Sequence, residues 1–174
     1  NKVNGSAGLE RIKATRPDLI ISVRFGLIIG QDIIDIPRYG VINLHSGVLP
    51  SYRGVMATLR AMLNGDSDIG STLHFIQDSG IDTGDIISVA TFPLERQSSY
   101  LLNVLSLYSG GVKQIMDAVK TLSESNTLQS HSQQGIPRYF TFPTTAELNH
   151  FSTQGYMLFD PQERTAITRL YALN

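Results

Sequence analysis

Asn43 and His45 stand two residues apart in V-I-N-L-H-S-G-V-L-P-S-Y-R-G, where an apolar strand runs into a loop containing glycine and proline. Strand side chains alternate with period two, so the carboxamide and the imidazole lie on one side of the chain and converge on one spot. The first is a neutral donor and acceptor, the second a group that titrates near neutral pH. Such a pair either closes a turn by hydrogen bonding or works together on a ligand beyond the strand end, where open α/β sheets place their sites. A second group follows in Asp78-Ser79-Gly80-Ile81-Asp82-Thr83-Gly84-Asp85, with three carboxylates and two glycines in one loop. Asp supports its own turn hydrogen bonds, so this loop is either an ordinary turn or the carboxylate side of a site. It lacks the spacing of a calcium loop.

Other chemistries lose their support at once. The chain contains no cysteine, which removes disulfides, thiolate zinc sites, iron–sulfur clusters and cysteine nucleophiles. None of G-x-S-x-G, G-x-x-x-x-G-K-S/T, G-x-G-x-x-G or H-E-x-x-H occurs. His74 falls inside a strand pattern and reads as a structural histidine, while His131 and His150 lie in polar surroundings that assign them no role. With 174 residues, 41% hydrophobic and 17% charged, the composition fits one globular domain with a real core. A net charge of −1 offers no positive field for a phosphate backbone, so a small molecule is the expected partner and nucleic acid is not. The absence of a membrane-length apolar run or a basic-plus-apolar opening segment leads to the expectation of a cytoplasmic protein without a membrane partner.

The elements that position these residues read as alternating helix and strand. Residues 6–15 form an amphipathic helix with Ser6 as a possible N-cap, and the β-branched run 19–23 has the pattern of a strand covered on both faces. Gly26 and Gly30 bracket a turn, residues 31–36 make a short helix ended by Pro37, and Gly40 opens the strand 41–44. A helix over 55–63 ends at Asn64-Gly65, and strands over 71–77 and 86–92 could pair as neighbours. The longest periodic segment, 99–122, is a packing helix with a candidate kink at Gly110-Gly111, and 123–134 reads as a polar surface loop. Thr144 followed by Glu147 fits a capping box for a helix over 145–153. The class is therefore α/β with a mixed sheet.

Beyond these local readings, N-L-H-S-G-V-L-P-S-Y-R-G followed by G-D-S-D-I-G-S-T-L-H-F-I-Q-D-S-G-I-D-T-G-D-I-I resembles the signature of the formyltransferases that use 10-formyltetrahydrofolate. The likeness runs from about Pro17 to Pro93; only the turn at 46–50 departs mildly, with Gly47-Val48 where the family has Ser/Leu-Leu. The resemblance implies a Rossmann-like, mixed and mostly parallel sheet flanked by helices, and an enzyme that transfers a formyl group from 10-formyltetrahydrofolate to an amine without a metal. It implies Asn43, His45 and Asp82 as catalytic residues: two donors for the oxyanion of a tetrahedral intermediate, and a carboxylate that holds His45 protonated and takes the amine's proton. It also implies a donor pocket walled by Arg24, Phe25, Gly26, Leu27 and Ile28 on one side and by Asp78, Gly80, Ile81 and Asp82 on the other. By the same resemblance, residues 1–128 are a catalytic core lacking the family's N-terminal strands, so that a longer parent protein with a sheet edge exposed here is expected. Residues 129–174 are then a C-terminal extension with a short helix. The expected acceptor is an amino sugar, an amino-acid derivative or a ribonucleotide, and a homodimer is possible. Nothing after Phe92 has the strand pattern or charge of the barrel that follows the core of methionyl-tRNA formyltransferases. That activity, hydrolysis of the formyl group, and a folate-binding module without turnover are the alternatives.

Overall fold

The strand that carries Asn43 and His45 lies inside the sheet. In the computed structural model, which describes residues 2–171, this strand is β2 (Val41–His45), and Val41 and Ile42 are fully buried. It pairs in parallel with β1 (Ile20–Val23) and antiparallel with β4 (Asp68–Ile76), which pairs antiparallel with β5 (Ile86–Pro93). The four-stranded order is β1-β2-β4-β5. The expected mixed sheet flanked by helices is present. Its parallel part is the β1–β2 pairing, because β1 and β2 are joined by a helical crossover whereas β4 returns into β5 through a short loop. The exposed Ile21 and Val23 lie on β1, at one edge of this sheet.

Helices cover both faces, which explains why β2 is apolar at Val41, Ile42 and Leu44. On one face, Leu9 and Ile12 of α1 (Ser6–Thr15) and Ile33 and Ile34 of α2 (Gln31–Ile34) pack with Val41, Ile20 and Ile76. On the other, Ala118 and Ile115 of α4 (Tyr100–Ser125) pack with Ile42, Leu44 and Leu73. Asn43 and His45 share the face of Val41 but sit further toward the carboxyl end of the strand. A third cluster joins Leu59 and Met62 of α3 (Ala57–Asn64) to Leu107 of α4, Ile69 of β4 and Phe151 of α5 (Thr145–Thr153). The chain ends in a 3-10 turn (Pro161–Glu163) and α6 (Arg164–Leu170). No helix among the described residues is long and apolar enough to cross a membrane.

Local expectations meet the structure unevenly. The α5 capping box forms as the spacing predicts, with Thr144 accepting from the Glu147 amide and Glu147 accepting from the Thr144 amide at 2.7 Å. Gly5, not Ser6, occupies the N-cap of α1. Gly110-Gly111 does not interrupt α4, which runs unbroken for 26 residues. Those glycines serve close approach: a Cβ at Gly110 would lie 2.3 Å from the Phe92 ring and one at Gly111 2.5 Å from Leu44.

The polar stretch 123–134 is not a free surface loop. The helix takes its first residues, to Ser125, and His131 then makes a two-way backbone bridge to Ile86. The chain continues into β6 (Tyr139–Phe140), which pairs in parallel with β3 (Arg53–Gly54) beside the end of β2. Farther on, Arg60 of α3 holds the segment by donating to the Thr141 carbonyl at 3.0 Å and pairing with Glu147.

The Thr144 amide, Arg60 and the Thr144 hydroxyl hold the Glu147 carboxyl down to about 2 from an ordinary 4.5. A depressed folded-state value means that this contribution to stability is complete above pH 4.5 and is lost as the pH falls toward 2. An acid titration followed by helical circular dichroism should show this step in the native protein and lose it in Glu147→Gln; an identical acid step in both would contradict the assignment.

Candidate active site

β2 and β4 run antiparallel with Asn43 directly opposite His74, so the two side chains occupy the same face as cross-strand neighbours. The Asn43 carboxamide nitrogen lies 3.1 Å from His74 Nε2, and His74 Nδ1 donates to the Phe75 carbonyl at 2.8 Å. A backbone carbonyl only accepts, so Nδ1 carries a hydrogen. Nε2 then works in one of two ways: neutral, it accepts from Asn43; protonated, it donates to Asp82 Oδ1, 3.4 Å away.

Asp82 enters from the loop between β4 and β5 with its backbone left-handed at φ +54°. Its Oδ2 accepts from the Gly54 amide at 2.8 Å and lies 3.4 Å from His45 Nδ1. Gly54 has φ +95°, and a Cβ there would meet the Phe140 carbonyl at 2.1 Å, so glycine lets β3 reach both Asp82 and β6. His45 Nε2 donates to the Tyr52 carbonyl at 2.7 Å. The Tyr52 hydroxyl in turn donates to Asp66 at 2.5 Å, and burial followed by that bond pushes it up to about 12, so it stays a donor. The result is one polar array, Asn43, His74, Asp82 and His45, in which the Phe75 carbonyl fixes His74 and the Tyr52 carbonyl fixes His45.

Electrostatics follows from this burial. Desolvation pushes the Asp82 carboxyl up, but the His74 hydrogen bond, the His45 charge and the Gly54 amide outweigh it and leave it below the ordinary range. For His45, burial is the largest influence and lowers it from the ordinary 6.5, with Asp82 and the Tyr52 carbonyl pulling back only in part. Both ring nitrogens of His45 face protein oxygens, so in this arrangement it presents no free N–H to a ligand; a proton taken up by the pair would lie between Nδ1 and Asp82. Among the described residues no group of three or more His, Asp or Glu is placed to hold a metal ion.

These groups stand at one end of a cleft of about 610 Å³. The residues that the resemblance implied for the site all line it: Asn43, His45 and Asp82, the stretch Arg24, Phe25, Gly26, Leu27 and Ile28, and the stretch Asp78, Gly80 and Ile81. Phe25, Leu27, Ile28 and Ile81 keep 39–53% of their surface exposed, an apolar lining inside a concavity. Asn4 steadies the first wall, donating to the Ile28 carbonyl at 2.8 Å and accepting from the Gly30 amide at 2.9 Å. The Arg24 side chain donates to the Tyr108 hydroxyl at 3.2 Å. Asp78 is exposed and accepts from the Gly80 amide at 2.7 Å within its own turn.

His74 is the structural histidine that the strand pattern leads one to expect, with one further role. It is a strand histidine and almost fully buried, as expected, but it also joins two of the named side chains. Its period-two relation to Thr72 and Ile76 was visible; its partner across the sheet was not, because that depends on the β2–β4 register.

The sequence profile described as formyl transferase matches residues 2–100, more than half of the chain, and the chain belongs to that family. It is 36% identical over 132 residues to the methionyl-tRNA formyltransferase of Francisella philomiragia, an alignment covering 75% of this chain and 41% of that one. The chain thus spans about two fifths of the length of the curated relatives it matches. Among solved structures, it resembles an N-formyltransferase from Helicobacter canadensis in complex with folinic acid and dTDP-3-aminofucose. The identity is 26%, the TM-score 0.59, and the coverage 75% of this chain and 52% of that one. It also resembles the formyltransferase PseJ from Anoxybacillus kamchatkensis, in complex with tetrahydrofolate and a formamido nucleotide sugar. Here the identity is 25%, the TM-score 0.63, and the coverage 80% of this chain and 72% of that one.

The cause given for the His45 shift makes a direct expectation. In histidine-labelled protein followed by NMR, His45 should titrate below 6.5, and Asp82→Asn should lower it further by removing the largest influence that raises it. A rise on Asp82→Asn would contradict the pairing.

Proposed function

We propose that this chain carries the catalytic centre of an enzyme that transfers a formyl group from 10-formyltetrahydrofolate to an amine. The observation that carries the reading is the linked set Asn43, His74, Asp82 and His45 at the end of the cleft walled by residues 24–28 and 78–82. The cleft suits a pterin: Phe25, Leu27, Ile28 and Ile81 offer apolar surface to the flat faces of a fused ring, and the backbone of both loops offers polar atoms to its edge. Bound there, the folate supplies the formyl carbon on which the amine acts.

Asn43 has two N–H groups, of which His74 can engage one, leaving the other for the oxygen that gains charge as the amine adds. A preorganised donor of this kind lowers the barrier by about 3 kcal/mol. Asp82 takes the amine's proton, directly or through water. The three groups around its carboxylate make it a weak base, and that suffices because the amine becomes strongly acidic once it has added. His45 contributes through Nδ1, which faces Asp82 and can share the proton that Asp82 takes from the amine until the leaving folate nitrogen regains it.

A small-molecule amine is the acceptor we favour, supported by the nucleotide sugars named with the two solved relatives and by the absence of net positive charge. A second reading, an aminoacyl-tRNA acceptor, is favoured by the identity to methionyl-tRNA formyltransferases.

The test incubates the full-length protein with 10-formyltetrahydrofolate and, in separate reactions, nucleotide-linked amino sugars, amino acids and methionyl-tRNA. A mass gain of one CO unit names the acceptor. Asn43→Ala should lower kcat about a hundredfold or more, and Asp82→Asn should abolish transfer with the fold intact. Native rates in either variant would refute the assigned roles.

A further inference from the structure

We infer that Gln133 is a positioning residue for Asp82, acting with Arg53 as a clamp that holds the Asp82 loop in its left-handed conformation. The inference rests on the proposed catalytic role of Asp82 for its functional meaning, and on geometry alone for the clamp itself.

The Gln133 carboxamide makes every hydrogen bond it can. Its Nε2 donates to the Asp82 carbonyl and to the Gly84 carbonyl, each at 2.8 Å, and its Oε1 accepts from Arg53 Nε at 3.1 Å and from Arg53 Nη2 at 2.8 Å. One side chain therefore grips the turn on both sides of Thr83 and is itself fixed by a planar fork that Lys could not supply. The turn needs such a grip. A non-glycine residue at φ +54° persists only when its surroundings hold it there.

The clamp converges on Asp82 from a single two-residue strand. Arg53 reaches the Asp82 main chain through Gln133, while the next residue, Gly54, donates its amide to the Asp82 carboxylate. Gln133 is brought within reach by the bridge between His131 and Ile86, and the chain beyond it is tied by the Arg53 amide donating to the Arg138 carbonyl and the Arg138 amide to the Pro50 carbonyl. Asp82 must lie 3.4 Å from each of two histidines, and a displacement of about 1 Å would break both contacts. Local sequence gives Gln133 no role, since only the return of the chain to β3 brings it to this loop.

The experiment uses the full-length protein in native form and as Gln133→Met, which keeps volume and removes all four hydrogen bonds, Arg53→Lys, Asp82→Asn and the Gln133→Met/Asp82→Asn double variant. Two readouts are taken: the His45 titration midpoint by NMR and steady-state formyl transfer. Gln133→Met should move the His45 midpoint in the same direction as Asp82→Asn, add nothing in the Asp82→Asn background, and lower kcat about 10- to 100-fold while KM for the folate donor stays within about threefold. Arg53→Lys should shift the midpoint partway, and it carries the test if Gln133→Met does not fold. An unchanged His45 midpoint in the single variants, or a Gln133→Met effect of equal size with and without Asp82, would overturn the clamp. If the native protein transfers no formyl group, the functional reading fails, and the titration series still decides whether Gln133 positions Asp82.

Discussion

A carboxylate with only 11% of its side-chain surface exposed must be compensated, and the arrangement of this molecule around its cleft follows from how Asp82 is compensated. Removing one partner of a buried charge costs about 3–5 kcal/mol, so each contact is under strong constraint. The three contacts come from three elements: His45 from β2, His74 from β4 and the Gly54 amide from β3. None of these elements can shift without leaving charge unpaired. The same constraint explains why β3, only two residues long, is held from its other side by β6.

The scaffold delivers these partners through close packing. α4 lies against the sheet face carrying Ile42 and Leu44, and its glycines at 110 and 111 admit the Phe92 ring and the Leu44 side chain. With that face filled, the opposite face of β2 is covered by α1 and α2 only near Val41, and the strand end with Asn43 and His45 lines the cleft. Arrest of the apolar cover partway along one strand thus turns a buried strand into a site, the general consequence of placing loops and crossovers at the carboxyl end of a sheet. With Asp82 and both histidines hydrogen-bonded in this setting, the polar array is rigid.

Much of this was legible in the linear chain, in places where the determining interaction is local. The Thr144–Glu147 capping box spans three residues, and the period-two placement of Asn43 and His45 depends on strand geometry alone. The D-S-G-I-D-T-G-D loop announced its turn chemistry, and Asp78 indeed bonds the Gly80 amide. Gly110-Gly111 was visible but ambiguous, because glycine serves both a bend and a close approach, and only the helix partner distinguishes them.

By itself, then, the sequence determined the alternation of helices and strands and the side of the strand on which Asn43 and His45 fall, since these are set within a few residues of one another; the two cleft walls were implied only by the family resemblance. Tertiary structure alone decided that His74 stands opposite Asn43, that both nitrogens of His45 are engaged, and that Gln133 returns across 51 positions to grip the Asp82 loop. The physical reason is that register and chain return are properties of pairs of distant segments. A one-residue slip of β4 would turn His74 to the opposite face, and no local propensity forbids it. The buried pairing of Asp82 does.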